Sequence, residues 1–257
     1  MRAIRGVISK CAAVILNIMP SAFRANILIR LINVSIRYDS PDRAIGFLLE
    51  VDNRLYELEG KAAIRYGNGI HPKHKHINYH MFFIKNINQG EHVLDIGCGN
   101  GLLTYDIAAC VSDVRIIGVE LNEVNIKFAN EHYRHPNLRF ICGNAMSDLP
   151  HECFDVIVLS NVLEHLEDRV NFLQRVIRQT SPKRLLLRVP MFERDWRVPL
   201  KKELGIDYRL DSTHHIEYTY EEFVEELRQA GLSITHIEFR WGEIWAVAVK
   251  DSMNIGI

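Results

Sequence analysis

The stretch Val93-Leu94-Asp95-Ile96-Gly97-Cys98-Gly99-Asn100-Gly101 constrains this chain more than any other. An apolar run ending on an acid and passing into glycines at alternate positions reads as a buried parallel strand that delivers its carboxyl end to a tight turn. Glycine suits that turn because it accepts positive φ and lets a ligand approach the backbone closely. Leu102 to Ala109 follows as a helix, so a ligand over the turn would face a helix N-terminus with free backbone N–H groups. Such a unit belongs to an α/β fold with a Rossmann-like, doubly wound sheet, and the turn reads as a loop for a nucleoside-containing cofactor.

Spacing separates two chemistries that share this geometry. A dinucleotide fingerprint requires G-x-G-x-x-G, and Leu102 stands where its third glycine belongs. The pattern here is D-x-G-x-G-x-G. Val114 to Val119 forms a second apolar strand ending at Glu120, an acid about 20 residues after the turn, where a carboxylate accepts hydrogen bonds from ribose hydroxyls. A third strand, Leu138 to Ile141, leads to Gly143-Asn144-Ala145, and a fourth, Phe154 to Ser160, leads to Asn161-Val162-Leu163-Glu164-His165-Leu166.

In this order the motifs resemble the class I S-adenosylmethionine (SAM)-dependent methyltransferases, over roughly Glu91 to Lys250. The resemblance implies that Asp95, Gly97, Cys98 and Gly99 wrap the donor, that Glu120 with Leu121 beside it holds the ribose, and that Asn144 with Ala145 addresses the adenine. It puts Ser160 beside the transferred methyl and the Glu164-His165 pair near the acceptor, with His165 as the leading base and Glu164 orienting it or holding a divalent ion. Some relatives carry Glu-x-x-Glu-His here as metal ligands. Asn161 occupies the first of those positions, so a ligand set would need His214 or His215, and metal dependence stays open. Each residue also has a plainer reading: Asp95 as a turn cap, Glu120 as a solvated carboxylate, Asn144 as a turn residue, His165 as a structural donor.

Upstream, residues His71 to His80 hold four His and two Lys in ten positions. Pro72 and the lysines argue for a positively charged loop over a metal site. This region resembles the ubiquinone-biosynthesis O-methyltransferases, which implies that Lys75 or His74 reaches the SAM carboxylate and that Tyr79 lines the cofactor pocket. A helix from Tyr79 to Ile87 then leads into the first strand.

Arg184 to Val189 reads as a fifth strand, and Thr219 with Glu222 forms a capping box for a helix that presents Phe223, Val224, Leu227 and Ala230 on one face and stops at Gly231. Leu232 to Phe239 and Glu243 to Val249, joined at Trp241-Gly242, read as an antiparallel pair, so the sheet has about seven strands and a reversed C-terminal hairpin. The insert 191–218 offers Trp196, Arg197, Tyr208, His214 and His215 as acceptor contacts. Its mixed charges and aromatic rings suit a polar, ring-shaped small molecule or glycan methylated at oxygen, though the same composition fits a lid of ordinary salt bridges.

At 257 residues with 47% apolar and 25% charged, the chain can hold one core plus an accessory region. The expected division is 1–38 as basic amphipathic helices, 39–90 as a helical cap with the His-rich loop, and 91–257 as the SAM-binding core. Five cysteines without a C-x-x-C pair, several in expected core elements, suggest reduced thiols and a cytoplasmic chain. A net charge of -1 argues against a nucleic-acid surface. Charge is nevertheless uneven: Arg2, Arg5, Lys10, Arg24, Arg30 and Arg37 precede the first acid, Asp39. The two apolar runs within this segment are too interrupted for a spanning helix and lack a signal-peptide cleavage site. They either rest on an anionic membrane near a lipid-linked or quinone-like acceptor, or pack on the core or on a second copy of the chain. Two further readings are a nicotinamide-dependent oxidoreductase, which would want glycine at position 102 and no reversed hairpin, and a SAM-binding scaffold without catalysis.

Overall fold

The computed structural model describes residues 16 and 18–251. The first expected amphipathic segment and Cys11 lie almost wholly outside them. From Ser21 on, the described residues form four helices before the sheet: α1 (Ser21–Ile36), α2 (Pro41–Tyr66), α3 (Lys73–Ile77) and α4 (His80–Lys85). Strands and helices then alternate as β1 (His92–Ile96), α5 (Leu102–Cys110), β2 (Arg115–Glu120), α6 (Glu123–His132), β3 (Leu138–Cys142), β4 (Val156–Ser160), α7 (Arg169–Thr180) and β5 (Arg184–Pro190). After a short α8 (Arg197–Glu203) come α9 (Tyr220–Gln229), β6 (Leu232–Arg240) and β7 (Glu243–Lys250).

The seven strands form one sheet in the order β3-β2-β1-β4-β5-β7-β6. The pairs among β1 to β5 are parallel, whereas β7 runs antiparallel to both β5 and β6. The expected reversed hairpin is present, and the strand order switches direction between β1 and β4. In open α/β sheets that switch leaves a crevice beyond the strands' carboxyl ends, because the two flanking connections diverge to opposite faces.

Period-two alternation divides the core. Leu94, Ile96, Ile157, Leu159, Leu185 and Leu187 pack with Phe172, Leu173 and Val176 of α7 and with Phe223 and Leu227 of α9 on one face. Val93, Val156, Val158, Leu186 and Trp245 pack with Phe82 and Phe83 of α4 and with Leu103 and Ile107 of α5 on the other. Strands covered on both faces are apolar at nearly every position, which explains their continuous runs in the sequence. The Thr219/Glu222 capping box forms as expected, and Gly231 takes φ +79 just beyond α9.

Three expectations need correction. The His-rich segment is not a plain loop: α3 runs through it and stops where Asn78 takes φ +52, a conformation Asn tolerates better than most residues. Because that turn intervenes, the following helix covers only His80–Lys85. Of the cysteines expected in the core, only Cys98 is buried; Cys110, Cys142 and Cys153 are exposed, although all four are free thiols. Cys142 misses the core because β3 is an edge strand. Among the described residues no helix is long and apolar enough to cross a membrane.

Candidate active site

The end of the crevice expected to hold the donor is built from backbone. Gly97 N and Cys98 N both donate to Val119 O, at 2.8 and 3.1 Å, which locks the turn onto β2. Gly97, Gly99 and Gly101 have φ of +73, +55 and +84. A Cβ at Gly97 would stand 2.7 Å from Val162 Cγ2, and one at Gly101 2.6 Å from the Phe140 ring, so both serve close packing. Gly99 is different, since nothing lies within 4 Å of its Cβ direction and the backbone there faces open space. Gly99→Ala should therefore keep the fold at a cost of about 1–2 kcal/mol for the left-handed backbone, while obstructing the cofactor. Gly101→Ala should chiefly lower the melting temperature. Thermal unfolding and SAM titration of both variants would check this, and equal losses in the two assays would contradict it.

Glu120 closes the loop at the end of β2. Its carboxylate accepts from Gly99 N at 3.0 Å and from Asn122 N at 2.8 Å, one bond per oxygen, so each oxygen keeps acceptor capacity for a hydroxyl. Leu121 beside it is exposed. Asp95 is buried under the turn and accepts from Thr104 Oγ1 at 2.6 Å; burial pushes its carboxyl up to about 7 against that hydrogen bond, and the Glu120 charge adds to the rise. The Cys98 thiol is pushed up first by burial and then by Asp95 and Glu120, which makes it inert. Asn144 uses its Oδ1 to accept from Met146 N at 2.8 Å, so the side chain builds the turn after β3. Ala145 is half-buried against the core, and Ser160 Oγ accepts from Arg188 Nη1 at 3.3 Å.

Arg188 and its neighbours escaped the sequence reading. This arginine on β5 is buried and pairs in two bonds, 2.6 and 2.5 Å, with Glu243 at the start of β7, to which Trp245 Nε1 also donates at 2.9 Å. The Arg188 guanidinium carbon lies 3.8 Å from the centre of the Tyr79 ring. Tyr79 Oη is 2.9 Å from His74 Nδ1, which lies 3.3 Å from His80 Nε2, and His80 Nδ1 meets Asp106 Oδ2 at 2.6 Å. Desolvation, reinforced by His80 and Lys73, holds the His74 imidazole down at about 4, while burial lifts the Tyr79 phenol to about 12. Tyr79 and His74 thus join one network at the crevice. Lys75 is exposed, whereas Lys73 feels both Arg188 and Glu243 and is held below the usual lysine range chiefly by desolvation.

The end of the crevice expected to take the acceptor begins where β4 stops. Asn161 turns the chain at φ +57, and Glu164 follows with its side chain wholly buried and neither carboxylate oxygen paired among the described residues. Burial raises its carboxyl to about 8, with Arg188 only partly offsetting this. Glu164, His165 and His214 each bring a ligand atom within 4.8 Å of the others. His214 Nδ1 is 3.2 Å from the buried Glu217 carboxylate, and His165 Nδ1 is 2.9 Å from Thr213 Oγ1. Both histidines are therefore oriented through Nδ1 and keep Nε2 for another partner. The expected orientation of His165 by Glu164 is corrected here, because Thr213 supplies it and Glu164 is left free. Desolvation and His214 hold the His165 imidazole below the usual histidine range.

One carboxylate oxygen and two imidazole nitrogens, backed by Glu217 and Thr213, suit a divalent transition-metal ion, and an unpaired buried carboxylate is what such an ion would compensate. His215 does not join this cluster: it is exposed, with Nδ1 3.9 Å from Glu167. Arg194 pairs with Glu217 and bonds Tyr208 O, which fixes the insert beneath His214. Tyr208 packs edge-on against Phe192, Arg197 is occupied by Asp52 and Asp195 at 2.8 and 2.7 Å, and Trp196 is exposed.

Comparison with known proteins bears on this geometry. Residues 87–219, about half of the chain, match the family described as methyltransferase domain. The ubiquinone biosynthesis O-methyltransferase of Bradyrhizobium diazoefficiens is 32% identical over 123 residues, covering 47% of this chain and 47% of that protein. A protein of the same name from Rhodopseudomonas palustris is 28% identical over 154 residues, covering 57% and 60%. The match thus spans about half the length of these curated relatives. Among solved structures, the magnesium protoporphyrin IX methyltransferase of Synechocystis with bound SAH superposes with a TM-score of 0.51 at 16% identity, over 82% of this chain and 86% of that one, and so shares the fold. Nothing among these matches supports a nicotinamide-dependent oxidoreductase. With a D-x-G-x-G-x-G turn facing open space, a carboxylate ending β2 and a reversed β7, the chain belongs to the methyltransferase-domain family, as a class I SAM-dependent methyltransferase.

Proposed function

We propose that this chain transfers the methyl group of SAM to a hydroxyl oxygen of a small, ring-bearing acceptor, either quinone-like or a glycan, held between the Asn161–Leu166 segment and the insert 191–218. The observation that carries this reading is the wholly buried, unpaired Glu164 carboxylate beside His165 and His214. A hydroxyl must lose its proton as the methyl moves in line from sulfur to oxygen. The Glu164 carboxyl, raised to about 8, holds its own proton at neutral pH, so His165 would take the hydroxyl proton or an ion seated at the three residues would loosen it. The curated relatives are O-methyltransferases, which favours oxygen as the atom methylated.

SAM, when bound, supplies an electrophilic methyl on a cationic sulfonium. Glu120 would hold the ribose hydroxyls and Gly99 would leave the backbone open to the donor, with Asp95 supplying negative charge near its cationic end. Asn144 and Ala145 line the turn expected at the adenine. A divalent ion held by Glu164, His165 and His214 would lower the pKa of the acceptor hydroxyl. His165 as a metal-free base is the second reading, favoured because Thr213 fixes its Nδ1 and leaves Nε2 for the proton. Activity retained after exhaustive chelation would select the base, and activity lost and then restored by Mn²⁺ or Zn²⁺ would select the ion.

The test of the function is mass spectrometry of catechols, sugars and lipid-linked glycans after incubation with SAM. One added methyl on oxygen is expected in one of these classes. SAM binding without any methylated product would overturn the reading in favour of a scaffold.

Asp95 gives a pH signature. Its folded carboxyl is raised to about 7 from the ordinary aspartate value, so it is largely protonated below neutrality, and a cationic ligand favours the ionised form. SAM affinity should rise as pH increases through about 7, with a proton released on binding below that point. Calorimetry in buffers of different ionisation enthalpy reads this directly. Asp95→Asn should abolish the proton release.

A further inference from the structure

The first 38 residues contain six basic residues and no acid, although the whole chain carries slightly more acid than base. Within this segment α1 is rich in Ile and Leu, yet none of its residues is buried. A helix so apolar is ordinarily covered by something. At about 100° per residue, Ala25, Ile29, Ile32 and Ile36 fall on one side of α1, and Phe23, Ile27, Leu31 and Val34 fall on another. In the first group Ile32 and Ile36 are half-buried and Ile29 is exposed; in the second Ile27 is half-buried, whereas Phe23, Leu31 and Val34 are 53, 60 and 68% exposed.

Charge identifies what covers that second face. Arg30 flanks the stripe by about 60° and is exposed, whereas Arg24 on the other flank is half-buried with its Nε enclosed. Tyr38 follows the helix, fully open, with the Arg37 guanidinium 5.4 Å from its ring centre. Apolar side chains in the middle, exposed Arg30 and Arg37 beside them and an aromatic at the end make the cross-section of a helix lying in a lipid interface. There the aliphatic stems dip toward the acyl chains and the guanidinium groups meet phosphates.

We infer that α1 docks the chain on an anionic phospholipid bilayer through Phe23, Leu31 and Val34, with Arg30 and Arg37 on the headgroups. The docked helix is tied to the acceptor end. Asp52 of α2 binds Arg197 and Lys201, both at 2.8 Å, and Asn53 Nδ2 donates to Asp207 O at 2.7 Å. Only residues 37–40 separate α2 from α1. A chain resting on α1 therefore holds the insert 191–218 by a short, ion-paired connection to the bilayer. Docking itself does not depend on which acceptor is methylated.

The test is co-sedimentation of the full chain with phosphatidylcholine vesicles, with and without phosphatidylglycerol. Binding is expected only to the anionic vesicles and should weaken as salt is raised. Replacing both Arg30 and Arg37 by Gln should lower the partition coefficient about twenty-five-fold, from roughly one factor of five per charge. Leu31→Ser with Val34→Ser should lower it comparably, and unchanged melting temperatures in both variants would show that the fold is intact. Equal binding to neutral and anionic vesicles would overturn the inference. So would an absence of vesicle binding together with a dimer that dissociates on Leu31→Ser, because a second copy of the chain would then occupy the face.

Discussion

Replacing Glu164 by Gln should lower the methyl-transfer rate constant by about a hundred- to ten-thousand-fold, the range expected when a positioned acid–base group or its metal is lost. Donor binding should barely change, since Glu164 stands at the acceptor end while Glu120 and Gly99 stand at the other. The fold should not suffer either. A buried carboxyl with no partner contributes no hydrogen bond to lose, and a neutral amide of the same shape avoids the cost of burying charge, so the melting temperature should stay level or rise. Added Mn²⁺ or Zn²⁺ should raise the melting temperature of the native chain and leave Glu164→Gln unmoved, by linkage worth about 2.7 kcal/mol at a hundredfold excess over Kd. A folded variant that methylates normally would remove Glu164 from the chemistry, and one that unfolds would overturn the stability expectation.

Glu243→Leu should be the most destabilising single change in the crevice. It leaves the Arg188 guanidinium buried without its carboxylate, which costs about 3–5 kcal/mol, and it strips the indole N–H of Trp245 of its acceptor. For a domain of this size that corresponds to a fall of about 6–20 °C in melting temperature. The double change Arg188→Met with Glu243→Leu should recover most of the loss, because an apolar pair of similar volume carries no orphaned charge. Differential scanning calorimetry of the three proteins decides it. A double variant no better than the single would mean that the pair's net attraction, and not the orphaned charge, dominates.

The donor end was legible because its determinants are local. Asp95 and the three glycines lie in one strand and its turn, and Glu120 follows at the length of a helix and a strand, so spacing alone aligned them. The reversed hairpin was also readable, from strand-like runs on either side of Trp241-Gly242. Arg188 and Glu243 were not, since a charge within a strand acquires its partner through register. Here that register belongs to an antiparallel strand 55 residues later. The partner of His165 was misassigned for the same reason: Thr213 lies 48 residues away and reaches His165 only because the insert folds back. His214 and His215 are adjacent in sequence, and only the turn held by Glu217 decides that the first faces Glu164. The His71–His80 run resisted reading because His80 Nδ1 is claimed by Asp106 of α5, a contact that composition cannot reveal.

The tip of the β6–β7 hairpin abuts the insert: Met191 N donates to Gly242 O at 2.9 Å, and a Cβ at Gly242 would come within 2.6 Å of Arg194 Cβ. The two ends of the crevice are consequently made of different material. Paired strands and one glycine turn form the donor end, where a change of one residue disturbs register or packing. A hairpin tip and an insert touching at Gly242 form the other, and both can be exchanged without moving a strand. If the acceptor sits there as proposed, a lineage built this way would change what it methylates by exchanging two loops while keeping its methyl source.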